Sequence, residues 1–155
     1  ALVLWKRFED TFKPLESNID FYLFQLPPFM KPNFAPRLQK FVENTRLGKK
    51  FALEVRNTEW FDKTWTEWAT KLGITLVSLD CPDYPLDVFN TSGIVYERMH
   101  GRYEWYSTYY KDEELEEVAK KIAKVKPKKA YLFFNNDHAM LDNSRKMLVI
   151  LNKLK

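Results

Sequence analysis

Five short apolar runs, most of them separated by helix-like segments, constrain this chain more than anything else in it. Each run ends in groups capable of chemistry. FYLFQ ends in Gln25, and FALEVR carries Glu54 and Arg56. ITLVSLD ends in Asp80, IVYERMHG carries Arg98 and His100, and YLFFNND ends in Asn135, Asn136 and Asp137. Such runs separated by helical patterns read as the strands of a parallel α/β protein. Strands that deliver polar groups at their C-terminal ends are the pattern of α/β proteins whose site gathers there.

The segments between the runs support this order. Leu4, Trp5, Phe8 and Phe12 fall near a 3.6-residue period and predict a helix from Ala1 to about Leu15. Pro36 suits the first residue of a helix running to Leu47, with Gly48 as its stop. Thr64-x-x-Glu67 has the form of a capping box before Trp65, Trp68, Ala69 and Leu72, and Gly73 closes that helix. Residues 81–93 hold Pro82, Pro85 and Gly93 and lack helical periodicity, so a long loop is expected there. Asp112 reads as a cap with Glu113 and Glu114 in the first turn. Tyr131 to Asn135 reads as the last strand and Ala139 to about Leu154 as the last helix. The predicted order is α, β, α, β, α, β, loop, β, α, β, α, without internal repeats or low-complexity segments.

At 155 residues and 45% hydrophobic content the chain can bury one core of single-domain size. A net charge of +4 is a weaker surplus than dedicated nucleic-acid binders carry. Lys120, Lys121, Lys124, Lys126, Lys128 and Lys129 read as a solvated face that complements a helix C-terminus. Cys81 is the single cysteine, which excludes a disulfide within the chain and suits a reducing compartment. No apolar stretch reaches transmembrane length, and Lys6, Arg7, Glu9 and Asp10 interrupt the start as no signal peptide would. The expectation is a cytoplasmic protein without a membrane partner.

Strand alternation then sorts the candidates by face. Ala52, Glu54 and Arg56 share one face of their strand, opposite Phe51, Leu53 and Val55. Tyr96, Arg98 and His100 share another, with Glu97 turned toward the helices. A glutamate and an arginine two apart on a parallel strand are costly to bury without partners, so they suit a polar mouth or an internal ion pair that organises one. Asn135 and Asn136 orient and hydrogen-bond. Asp137 reads equally as a ligand or as a cap for the last helix. Glu54, Asp80, His100, Asp137 and His138 are suitable metal-ligand types, but no compact ligand motif is present, and no metal site is assigned. The loop GRYEWYSTYYKD carries Tyr103, Trp105, Tyr106, Tyr109 and Tyr110, rings that either stack on a ligand's base or sugar or pack the loop down.

Taken together, FQLPP (24–28), FALEVRNTEWF (51–61), Asp80, YERMHG (96–101), the tyrosines Tyr106 and Tyr109, FNND (134–137) and Asn143 resemble the YecE-like family, domain of unknown function 72. The resemblance implies a TIM-type (β/α) barrel, of which residues 1–155 form one partial domain supplying about five parallel strands, family strands four to eight, with outer helices. The family's opening strands have no counterpart, and a closed barrel takes about 250 residues. The chain is therefore expected to need the missing N-terminal segment or another chain.

Two classes of function compete. In an enzyme, Glu54, His100 and Asp80 supply the acid–base groups. Gln25, Arg56, Arg98, Asn135, Asn136, Asp137, Tyr106 and Tyr109 bind the ligand, and two arginines favour a phosphate- or nucleotide-containing substrate for a hydrolase or lyase. In a binding module the same groups hold a nucleic acid or a protein without turnover. An inactive fragment is the third reading. No cofactor can be read from the residues.

Overall fold

The structure is a computed structural model and describes residues 1–153. It is an α/β fold that divides into two compact units, one spanning Ala1–Thr75 and one beginning at Leu76. The helix expected to reach about Leu154 is described to Lys153; Leu154 lies outside the described residues.

The first unit holds α1 (Leu2–Phe12), β1 (Tyr22–Gln25), α2 (Ala35–Thr45), β2 (Phe51–Glu54) and α3 (Lys63–Leu72). β1 and β2 pair in parallel, Tyr22 opposite Phe51 and Gln25 opposite Glu54. Their shared face toward the helices is aromatic. The Phe24 and Phe51 rings stack at 4.0 Å, and Phe41 meets both edge-on. Trp5 of α1 meets Tyr22 edge-on at 5.1 Å. Burial of Tyr22 and its hydrogen bond to Glu16 push the phenol up to about 12. Trp5 is the only buried residue of α1, while Leu4 and Phe8 are exposed, so the expected apolar stripe is only partly covered.

Two boundaries differ from expectation for local reasons. α3 begins at Lys63 because the Asp62 side chain accepts the Thr64 N–H at 2.7 Å. The cap is thus Asp62, a charged acceptor in the N-cap position, in place of the Thr64 capping box. α2 ends at Thr45, with Arg46 in the left-handed conformation, two residues before the expected stop at Gly48.

The second unit holds β3 (Thr75–Asp80) from Leu76 onward, β4 (Ile94–Met99), α4 (Asp112–Lys124), β5 (Lys129–Phe134) and α5 (Met140–Lys153). β3, β4 and β5 pair in parallel, with Asp80 opposite Met99 and Arg98 opposite Phe133. Val95 and Met99 pack on Leu115, Val118, Ala119 and Ile122 of α4 and Met147 of α5. The helix-free segment 81–93 runs back along β3: Phe89 N–H donates to Ser78 Oγ and Leu76 N–H to Thr91 Oγ1, both at 2.9 Å. α4 begins one residue earlier than a cap at Asp112 implies. Lys111 is the N-cap, its N–H donates to Glu114 Oε2 at 2.8 Å, and Asp112 is the first helical residue.

Phe51 is fully buried in the aromatic stack, whereas Leu4 is 68% exposed. Phe51→Ala is expected to cost about 3 to 5 kcal/mol in urea denaturation, and Leu4→Ala less than about 0.5. Equal costs would contradict this placement of the core.

Candidate functional site

In the first unit the structure brings Gln25, Glu54 and Arg56 to one face. Gln25 lies in register with Glu54 on the neighbouring strand, on the side away from Phe24 and Phe51. Glu54 is fully buried and its Oε1 takes both the Nε and Nη2 of Arg56, a side chain of which a tenth is exposed. Gln25 is exposed. The two-residue spacing seen in the sequence is therefore a forked charge-assisted pair at the end of β2.

In the second unit the candidates separate onto the two faces of the sheet. Asp80 stands opposite Met99, and Glu97 opposite Ser78, so these carboxylates share the face packed under α4. Arg98 and Tyr96 occupy the other face, where Tyr96 stacks on Phe133 at 4.6 Å.

On the helix side, the Asp80 carboxylate is almost fully enclosed. It accepts from Arg102 Nη2 at 2.7 Å and from the Tyr110 hydroxyl at 2.9 Å. Arg102 also donates to Glu117 of α4 at 2.7 Å, and Glu117 pairs with Lys121 at 2.7 Å. Burial works against the Arg102 charge, but the hydrogen bonds and charges of Asp80 and Glu117 hold it above its ordinary value. Burial also raises the Tyr110 phenol, and the Asp80 charge adds to it. Sequence reasoning passed over Arg102. The signal was present: a cation directly after a strand-ending HG, facing an acid that ends the neighbouring strand.

Glu97 lies in the same layer, 2% exposed, with one carboxylate oxygen lacking a hydrogen-bond partner. Desolvation pushes its carboxyl well above the usual range and the Asp80 charge adds to this; Lys121, Ser78 and Arg102 oppose it. The glutamate turned toward the helices is thus a buried acid that holds its proton more tightly than a free carboxyl does.

His100 lies beyond the end of β4 and is 1% exposed. Its N–H donates to Asp80 O at 2.8 Å, and its ring packs 5.4 Å from both Trp105 and Tyr106. The aromatic loop therefore covers the histidine. Gly101 makes this turn with φ near +109°; a Cβ there would collide with the Glu104 carbonyl oxygen.

A cleft of about 520 Å³ opens beside the loop, lined by Trp105, Tyr106, Ser107, Asn135, Asp137 and Met140. Turning the Asn135 amide so that its oxygen and nitrogen exchange places satisfies both groups: Oδ1 accepts from Arg98 Nη2 and Nδ2 donates to Phe134 O, each at 3.3 Å. Tyr106 and Asp137 are non-glycine residues held at φ +66° and +56°. Such conformations cost energy and cluster at functional sites. Asn136 is buried instead, its Nδ2 donating to Thr108 O at 2.9 Å and Asn143 Oδ1 at 2.7 Å. Tyr109 is half-exposed, with Lys146 Nζ 5.4 Å from its ring, and does not line the cleft. Asp137 begins a short 3-10 turn, and α5 starts only at Met140, so Asp137 is not its N-cap. Among the described residues no three His, Cys, Asp or Glu side chains gather as metal ligands, and no helix is long and apolar enough to cross a membrane.

The sequence matches the family described as "Protein of unknown function DUF72" over residues 2–154. Two crystal structures share its fold. A DUF72 family protein from Thermotoga maritima MSB8 aligns with a TM-score of 0.81 and 26% identity, over 96% of this chain and 64% of its own. One from Enterococcus faecalis V583 aligns at 0.80 and 20% identity, over 94% of this chain and again 64% of its own. The chain thus spans a little under two thirds of the length of these relatives. No curated protein matches it.

The folded state favours the neutral form of Glu97, so its contribution to stability is complete below the ordinary carboxylate range. That contribution is lost as pH rises through the folded pKa. Glu97→Gln is expected to raise the denaturation midpoint at neutral and alkaline pH, with little difference near pH 4. The check is a series of urea melts of both proteins across pH; a pH-independent difference contradicts the assignment.

Proposed function

Because this chain belongs to the DUF72 family, whose description assigns no activity, we infer its role from its own side chains. We propose that it binds an anionic, phosphate- or nucleotide-containing ligand in the cleft at the ends of β4 and β5. The carrying observation is the half-buried Arg98 guanidinium hydrogen-bonded to Asn135, which lines a cleft walled by Trp105 and Tyr106.

Each part has a chemical counterpart in such a ligand. A guanidinium answers a phosphate with charge-assisted hydrogen bonds. Aromatic faces stack on a base. The exposed Asp137 carboxylate is an acceptor for sugar hydroxyls and repels a bare anion, which favours a ligand carrying its phosphate at one end only. The fold assigned with this reading is a TIM-type barrel, in which residues 1–155 are a partial domain supplying five strands. The strands that close it come from outside these residues, in a preceding segment or another chain. The 64% coverage of the solved relatives supports that assignment. The turnover suited to the site is hydrolysis or a lyase reaction with His100 as acid or base. Its enclosure under Trp105 and Tyr106 favours the alternative, binding without turnover.

Titration calorimetry with adenosine monophosphate tests the binding. Arg98→Gln is expected to weaken it about tenfold or more, the value of a hydrogen bond to a charged group. Unchanged affinity would sink the reading. His100→Gln then separates the alternatives: it abolishes ester hydrolysis in an enzyme and leaves affinity within about twofold in a binding module.

A further inference from the structure

Three of the six residues that line the cleft belong to the irregular segment between β4 and α4. The shape of the cleft therefore depends on what holds that segment, and most of that work falls to groups that no ligand touches. The fully buried Tyr110 hydroxyl accepts the Gly101 N–H at 2.8 Å and donates to Asp80 Oδ1 at 2.9 Å. One oxygen thus joins both ends of the segment to the end of β3. The Tyr110 main chain is held as well. Its N–H donates to Asn143 Oδ1 at 3.1 Å, and its carbonyl accepts from Asn143 Nδ2 at 2.9 Å. The same Asn143 oxygen accepts from Asn136, which reaches on to Thr108 O.

Resting on the ligand reading above, we propose that Tyr110 and Asn143 are positioning residues that set the affinity of the cleft for the base of a nucleotide. They hold Trp105 and Tyr106 in place and leave the phosphate to Arg98. The residue types fit the task. A phenol can donate to a carboxylate and accept a main-chain N–H at once, which phenylalanine cannot. An amide can serve a main-chain N–H and C=O together, whereas aspartate has no donor for the carbonyl. Asp80 keeps Arg102 when the phenol is lost, so the ion pair below survives while the loop loses its tie.

A purely structural role predicts general loosening, whereas a positioning role predicts selective loss. The test uses the whole 155-residue chain and two probes, adenosine monophosphate and inorganic phosphate. Calorimetry is run well below the melting temperature, alongside hydrogen exchange. Tyr110→Phe is expected to weaken adenosine monophosphate at least tenfold and to leave inorganic phosphate within twofold. Amides 102–109 should exchange faster, and α4 and α5 should be unchanged. Arg98→Gln should weaken both probes without touching that exchange. Unchanged adenosine monophosphate affinity in folded Tyr110→Phe overturns the proposal. So does equal loss of both probes with faster exchange in α4 and α5. Should Tyr110→Phe fail to fold, Asn143→Asp carries the same expectations, and a failure of both variants to fold assigns the pair to the core and overturns the proposal. If the wild type binds neither probe, the ligand reading fails, and unaltered exchange over 102–109 in Tyr110→Phe overturns the positioning role separately.

Discussion

A single buried oxygen, the Tyr110 hydroxyl, carries much of the second unit. It stands between the Asp80 carboxylate and the Gly101 N–H, both enclosed, and each would be expensive to leave unpaired. Around it, side-chain amides tie down the main chain of the loop. Asn143 takes both main-chain groups of Tyr110, and Asn136 takes Thr108. These bonds specify one loop conformation, because any alternative strands several polar groups away from water at once. The left-handed Tyr106 and the tight turn at Gly101 are held within that frame.

The two faces of β4 divide the chemistry. Under α4, charges answer one another: Asp80 with Arg102, Arg102 with Glu117, Glu117 with Lys121. Glu97 lies buried in the same layer, and burial together with the Asp80 charge holds its carboxyl well above the ordinary range. On the opposite face Arg98 reaches Asn135 beside an open cleft. Polarity on one face is sealed into structure, while on the other it meets solvent. The same sequence pattern, a polar residue near a strand end, produces both outcomes.

Much of this was legible in the residues. The order of elements was read correctly from the alternation of apolar runs with 3.6-period segments, including the helix-free stretch 81–93, where prolines and the lack of periodicity excluded a helix. The family was legible too, in motifs distributed along the whole chain. Glu54 and Arg56 emerged as a pair because strand alternation places residues two apart on one face. Boundaries were less legible. Asp62 rather than Thr64 caps α3, since both residue types cap well and only the local path of the chain selects between them. His100, Asn136 and Asp80 read as residues of an open mouth, and they are enclosed by a loop and by helices whose packing no local pattern encodes.

By itself the sequence determined which segments are strands and helices and which residues share a face of a strand, because both follow from backbone periodicity. Only the tertiary structure decided which polar residues meet solvent and which are consumed in holding the frame. Asp80 and Arg98 look alike on paper, each a charge near the end of an apolar run. One lies under α4 beside Arg102 and Tyr110, and the other reaches Asn135 at the cleft. The difference arises from contacts between residues far apart in the chain, Tyr110 with Asp80 and Asn143 with Tyr110. Such long-range pairings depend on packing between elements, which the period of any one element cannot express.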